Sequence, residues 1–273
     1  MARDFSQAGH LPNRRADGQP ASPEELPRQR NGVTPQMHGR YPDYNVLDEA
    51  RHWDGVTRRM VLDRVESVAP LRFFSAEEAG TLGVFCDLVM AQDREPRIPV
   101  LNMVDAKLFA GELDGFVFDG MPDDRETWRL VARGLDAAAR QHGARDFVHA
   151  APDTQTAIID AFHKGELHGE VWDELPPSNA WSVVMRAVLS AFYSHPWAWN
   201  EIGYGGPAYP RGYARLGAGQ REWWEGVESA GGDPAASRAA DSVESPGGGS
   251  ASSADSDSSG SSAGAERPSR DSR

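Results

Sequence analysis

Residues 75–90 read SAEEAGTLGVFCDLVM, and this stretch decides the fold class. Ser75 followed three positions later by Glu78 is a capping box. The Ser hydroxyl accepts from an early helix N–H, and the Glu carboxylate reaches back to the N–H of Ser75. Leu82, Phe85, Val89 and Met90 then recur at helical spacing, which lays one apolar stripe along the helix. The pattern predicts a helix from Ser75 to about Gln92 with that stripe facing a core.

The same period continues downstream. After the extended Pro96-Arg97-Ile98-Pro99 stretch, a second helix is expected over about 100–112, closed by Gly115. A third is expected over 124–141, carrying Trp128, Val131, Leu135 and Ala138 inward and ending at His142-Gly143. Pro152-Asp153 opens a fourth, with Ile158, Ile159 and Phe162 apolar, which ends at Lys164-Gly165. A fifth begins near Ser178, and Trp181, Val184, Met185, Val188, Leu189 and Phe192 line its inner side. Alternating β-branched runs bounded by Gly-containing turns are almost absent. The fold class is therefore all-α, an irregular helical bundle.

Beyond His195 the texture changes. Residues 197–224 read WAWNEIGYGGPAYPRGYARLGAGQREWW, crowded with aromatic side chains and broken by Gly and Pro. Pro196, Pro207 and Pro210 forbid one continuous helix. Aromatic residues are too apolar to leave in water, so an ordered, irregular C-terminal wrap over a surface is expected. Residues 226–273 are dominated by Ser, Gly, Ala and Asp, and residues 1 to about 40 are rich in Pro, Gly, Gln and Arg. Neither offers enough apolar surface to offset its ordering entropy. The expected organisation is a mostly disordered extension over 1–55, a helical domain over 56–225 and a disordered tail over 226–273.

Charge and cysteine content exclude several function classes. A net charge of −13 and a pI near 5.0 argue against a nucleic-acid partner, which needs clustered Lys and Arg to displace counterions. The single cysteine, Cys86, excludes an internal disulfide, a four-cysteine zinc site and a self-contained iron–sulfur cluster. It sits in an apolar stretch and reads as a buried, inert thiol. No stretch approaches the roughly 18 apolar residues of a bilayer span, so direct membrane insertion is not expected. Arg58-Arg59 before Met60-Val61-Leu62 faintly suggests a twin-arginine export signal, but Asp63, Arg64 and Glu66 break the apolar segment such a signal needs. The expected compartment is the cytoplasm.

Catalytic patterns are sparse. Gly203-Tyr204-Gly205-Gly206 lacks the Lys-Ser/Thr and the preceding strand of a phosphate loop, and no dinucleotide fingerprint stands between a strand and a helix. No cofactor is therefore expected in this chain. His163 and His168 flank Glu166 and Glu170 without the spacing of a helical zinc site, and they read as helix-end cations. Asp123-Asp124 and Asp173-Glu174 read as caps or solvated charges. His195 has three readings: a base working with Glu201, a structural residue that satisfies carbonyls at a helix end with Pro196 as the stop, or a contact to another protein. The aromatic density of Phe192, Tyr193, Trp197, Trp199, Tyr204, Tyr209, Tyr213, Trp223 and Trp224 also has three. These rings roof the domain's own core, or part of them faces a partner, or they stack on carbohydrate.

Three clusters carry a family likeness: Tyr193-Ser194-His195-Pro196, Glu201-Ile202-Gly203-Tyr204 and Gly206-Pro207-Ala208-Tyr209-Pro210. Upstream, Phe73-Phe74-Ser75 and Ile98-Pro99 stand in the same order. Over about 71–213 the chain resembles gluconate 2-dehydrogenase subunit 3. The resemblance implies a non-catalytic small subunit of a flavin-dependent sugar, sugar-acid or glycoside dehydrogenase. The FAD would belong to a large subunit of the glucose-methanol-choline type, and electrons would pass to a haem-bearing subunit. It implies that the small subunit stabilises or matures its large partner. Tyr193, Ser194, His195, Pro196, Trp197, Trp199, Ile202, Gly203, Tyr204, Gly206, Pro207, Tyr209 and Pro210 are then structural and interface residues, not catalytic ones. Members of the family typically carry a twin-arginine leader where this chain has a polar extension. The implication is either a cytoplasmic complex or export with a partner that supplies the signal. Two alternatives stand beside this: a stand-alone helical enzyme using His195 with a carboxylate, and a scaffold or binding protein.

Overall fold

The computed structural model describes residues 40–228 except 42, 94, 114, 216, 218 and 219, and the disorder expected over 1–39 and 229–273 lies outside the described residues. Among the described residues a 3-10 helix, Val46–His52, precedes eight α-helices. These are α1 Gly55–Glu66, α2 Ala76–Val89, α3 Val100–Ala110, α4 Asp124–Gln141, α5 Pro152–Lys164, α6 Glu170–Glu174, α7 Pro177–Tyr193 and α8 Pro196–Ile202. Among the described residues there is no strand. The molecule is all-α, as its periodicity requires.

Local chemistry sets most helix starts. The Ser75 hydroxyl accepts from the Glu78 N–H at 3.2 Å, and the Glu78 carboxylate accepts from the Ser75 N–H at 2.9 Å, so the capping box forms as read. Asp54 and Asp123 cap α1 and α4 by accepting from the N–H groups of Thr57 and Glu126. Pro152 sits in the first turn of α5, where its missing N–H costs nothing. Helix α3 stops at Gly111, four residues before Gly115, because Gly111 turns left-handed at φ 73° and ends the helix there.

The core lies where α2, α4, α5 and α7 converge. Phe85 of α2, Phe162 of α5 and Trp181 of α7 meet ring to ring, Phe162 and Trp181 edge-on at 5.2 Å between centroids. Trp128, Val131 and Leu135 of α4 and Val184 and Val188 of α7 are fully buried around them. Burying each such side chain contributes on the order of 1.5–3 kcal/mol. The short helix α6 drops Trp172 onto α4 at Gly134, where any Cβ would overlap the indole. That helix was not foreseen, since five residues are too few to show a period.

Two carboxylates, one buried and one half-buried, fasten loops to this core. Asp105 of α3 accepts from the backbone N–H groups of Arg72, Phe73 and Phe74 at 2.8–3.0 Å, pinning the segment between α1 and α2. Asp136 of α4 accepts from Thr81 Oγ1 at 2.9 Å and from the Phe147 N–H at 3.0 Å, pinning the segment between α4 and α5. A buried backbone N–H without a partner is costly, so these acids define the loop paths.

Ordered structure begins upstream of residue 56. Val46, Leu47, Ala50 and Trp53 are all buried. Arg58 and Arg59 lie on α1, whose Val61, Leu62 and Val65 face the core. The apolar residues after the Arg pair are thus packing residues of an amphipathic helix.

A candidate docking surface at the C-terminal wrap

The site is built from the junction of α7 and α8 outward. Pro196 was expected to act as a stop, with His195 serving the end of α7. Instead Pro196 is the first residue of α8, and His195 is its N-cap. The imidazole Nδ1 accepts from the Trp197 N–H at 3.2 Å. A proline at the start of a helix has the right φ and no N–H to lose, which is why one residue closes α7 and opens α8. His195 is 0% exposed.

Helix α8 is almost wholly interior. Trp197 and Trp199 are buried, and Trp199 Nε1 donates to the Tyr193 carbonyl at 2.7 Å. Asn200 Oδ1 accepts from the Val46 N–H at 2.7 Å, which draws the 3-10 helix onto α8. Glu201 is buried as well.

Gly203 ends α8 in the left-handed region at φ 66°, where a side chain would also overlap Tyr41. From there the chain wraps back over the N-terminal segment. The Gly226 N–H donates to the Gly203 carbonyl at 2.9 Å, and Tyr44 Oη donates to the Trp224 carbonyl at 2.8 Å. Arg211 is the centre of this closure. Its guanidinium pairs with Glu49 at 3.2 Å, donates to the carbonyls of Gly205 and Pro207, and lies 4.4 Å from the Trp224 ring centroid. Burial lowers the Arg211 pKa, opposed by Glu49, and burial likewise pushes the Tyr44 phenol up. Glu222 accepts from the N–H groups of Ala214 and Arg215 at 2.6 and 2.5 Å and folds the end of the wrap on itself.

The thirteen motif residues therefore divide. His195, Pro196, Trp197, Trp199, Gly203 and Gly206 are buried in this chain's own interior. Gly206 lies so close to Trp53 that a Cβ would overlap the ring. Ser194, Tyr204 and Pro207 are half-buried, while Tyr193, Ile202, Tyr209 and Pro210 are exposed. Tyr209 is 68% exposed, and Trp223, farther along the wrap, is 54% exposed with His52 edge-on at 4.7 Å. Part of the aromatic cluster thus roofs this chain's own interior, and part of it is exposed.

Chemically, this arrangement offers aromatic contact area, with Tyr209, Tyr213, Arg215 and Arg221 exposed along the wrap. His195 and Glu201 are both sealed from solvent, so they are not placed as a working acid–base pair. Among the described residues no group of three or more His, Cys, Asp and Glu could hold a metal ion. His163 instead lies against Trp181, ring centroids 5.0 Å apart. Cys86 is buried, and burial pushes its thiol well above the ordinary range. Among the described residues no helix is long and apolar enough to cross a membrane.

Sequence reasoning missed two features. One is the Arg211–Glu49 pair, which no local pattern announces. The other is a second exposed apolar segment in which Leu113, Phe116 and Val117 are 40%, 59% and 47% exposed. Its signal was an apolar run between Gly115 and Gly120 that continues the period of neither flanking helix.

Neither the curated proteins nor the solved structures contain a match to this chain. The family model described as gluconate 2-dehydrogenase subunit 3 matches residues 76–206, from the first residue of α2 to the glycine packed on Trp53. Across that helical body, just under half of the chain, the protein is similar to the gluconate 2-dehydrogenase subunit 3 family.

Proposed function

We propose that the chain is the non-catalytic small subunit of a flavin-dependent dehydrogenase of the glucose-methanol-choline type, acting on a sugar, sugar acid or glycoside. FAD would sit in the large subunit, and this chain would stabilise or mature that subunit. A haem-bearing subunit would take the electrons onward. The complex would work in the cytoplasm, or be exported with a partner that carries a twin-arginine signal.

One observation carries the reading. The family segment, 76–206, ends in an aromatic module whose histidine is sealed inside, while Tyr193 and Ile202 within it and Tyr209 and Pro210 just beyond it face outward. A buried His195 used as a helix cap supports a structural role for the motif over catalysis. Outward aromatic residues supply large contact area at low entropic cost, the kind of surface a partner protein uses. A subunit that binds only the folded, flavin-loaded partner stabilises it by mass action, about 2.7 kcal/mol at a hundredfold excess over Kd.

The test is co-expression of the large flavoprotein with and without this chain, reading flavin bound per large chain. Low flavin content or insolubility of the flavoprotein alone, corrected by this chain, is the expected result. Equal flavin content in both preparations would sink the proposal.

A further inference from the structure

Resting on that reading, we infer that the segment between α3 and α4, residues 111–123, is a second docking element. It inserts Phe116 and Val117 into an apolar pocket rimmed by Arg and Lys on the partner protein.

Exposing apolar area costs about 25 cal/mol per Å², so neighbouring exposed apolar side chains in one short segment mark a contact surface more often than chance. Leu113, Phe116 and Val117 are such a group, 40–59% exposed. Phe116 is braced by Phe118, edge-on at 5.1 Å between centroids, so the ring is presented on a supported side chain. Gly111 and Gly120 take φ 73° each at the two ends and turn the segment away from the helices it joins. Glu112, at its start, also lines a shallow groove of about 370 Å³ between α3 and α7 with Met103, Val104 and Ala187. The exposed apolar residues therefore adjoin a concave surface.

Charge decides the occupant. Glu112, Asp119, Asp123 and Asp124 flank these residues along the chain, and no Lys, Arg or His occurs between Lys107 and Arg125. A second copy of this chain, at net charge −13, would bring like charge to like. Anionic lipid and nucleic acid fail for the same reason. A protein face with a basic rim and an apolar centre satisfies both features at once.

The experiment co-expresses the full chain with the large flavoprotein subunit and reads how tightly the two hold in the co-purified complex, by dilution at low and at high salt. The native chain should bind more weakly as salt rises. Phe116→Ser with Val117→Ser should weaken binding about 30-fold, as loss of a binding hot spot does, while leaving the melting temperature unchanged because both side chains already face water. Glu112→Gln with Asp119→Asn should weaken binding at low salt and match the native chain at high salt. Unchanged affinity of the Phe116/Val117 variant would overturn this inference while leaving the small-subunit reading standing, the more so if Tyr209→Ala alone released the partner. Failure of the native chain to bind the flavoprotein at all would overturn both.

Discussion

Arg211 and Glu49, 162 positions apart in the chain, form an ion pair at 3.2 Å with both side chains largely withdrawn from water. Withdrawing two charges is expensive, so the pair contributes less than its Coulomb attraction suggests. Removing one partner, however, strands the other. Arg211→Ala should therefore destabilise the protein by about 3–5 kcal/mol. The loss should appear first as faster hydrogen exchange over residues 203–228 and 44–53, ahead of α2, α4 and α7. Uniform exchange across all helices would show that the wrap and core unfold as one unit.

Asp105 holds three backbone N–H groups at once. Asp105→Ala leaves those donors buried without acceptors, each worth roughly 1–3 kcal/mol. A total loss of at least about 3 kcal/mol is expected in denaturant unfolding. Asp105→Asn keeps one carbonyl acceptor and should lose less.

Gly134 lies beneath Trp172, at a place where alanine would normally strengthen a helix by about 1 kcal/mol. Here the added methyl overlaps the indole, so Gly134→Ala should destabilise by about 1–3 kcal/mol. Combining it with Trp172→Leu should cost less than the two changes added together. Strict additivity in that double-mutant cycle would refute the contact.

Glu222 titrates against the wrap. The backbone N–H of Arg215 leads in holding its carboxyl below the ordinary value, joined by the Ala214 N–H and the Arg215 charge, while burial pushes the other way. A carboxyl depressed in the folded state contributes stability above its unfolded pKa and loses that contribution as pH falls through the depressed folded value. Emission from Trp223 and Trp224 should thus change as pH drops below the usual carboxylate range. Glu222→Gln should show the low-pH spectrum already at neutral pH. A spectrum independent of pH in both proteins would refute the coupling.

Helix α4 was legible to the residue, because an Asp cap, a long amphipathic stripe and a terminal Gly143 all agree. Helix α2 was read three residues too long. The apolar run continues through Met90, while the backbone leaves the helix there to feed Gln92, whose side chain accepts from the Ile98 N–H at 2.7 Å. Helix α1 and the 3-10 helix were obscured by Arg-rich composition, and their few apolar residues gain meaning only against α8. Helix α8 was hidden by Pro196, since a proline after an apolar helix reads equally as a stop or a start. The motif was visible as a motif, but its division was not. Trp197 and Tyr209 look alike in sequence, and only the fold buries one and exposes the other.

Arg40 Nε donates to Glu228 Oε1 at 2.7 Å, so the first and last described residues meet at one place. The topology is close to a closed ring interrupted at that spot. A short peptide bridging those two positions, with fresh termini opened in the exposed turn after α4, would give a circular permutant keeping every helix contact. Reporter groups joined directly at Arg40 and Glu228 would likewise share one pole of the protein.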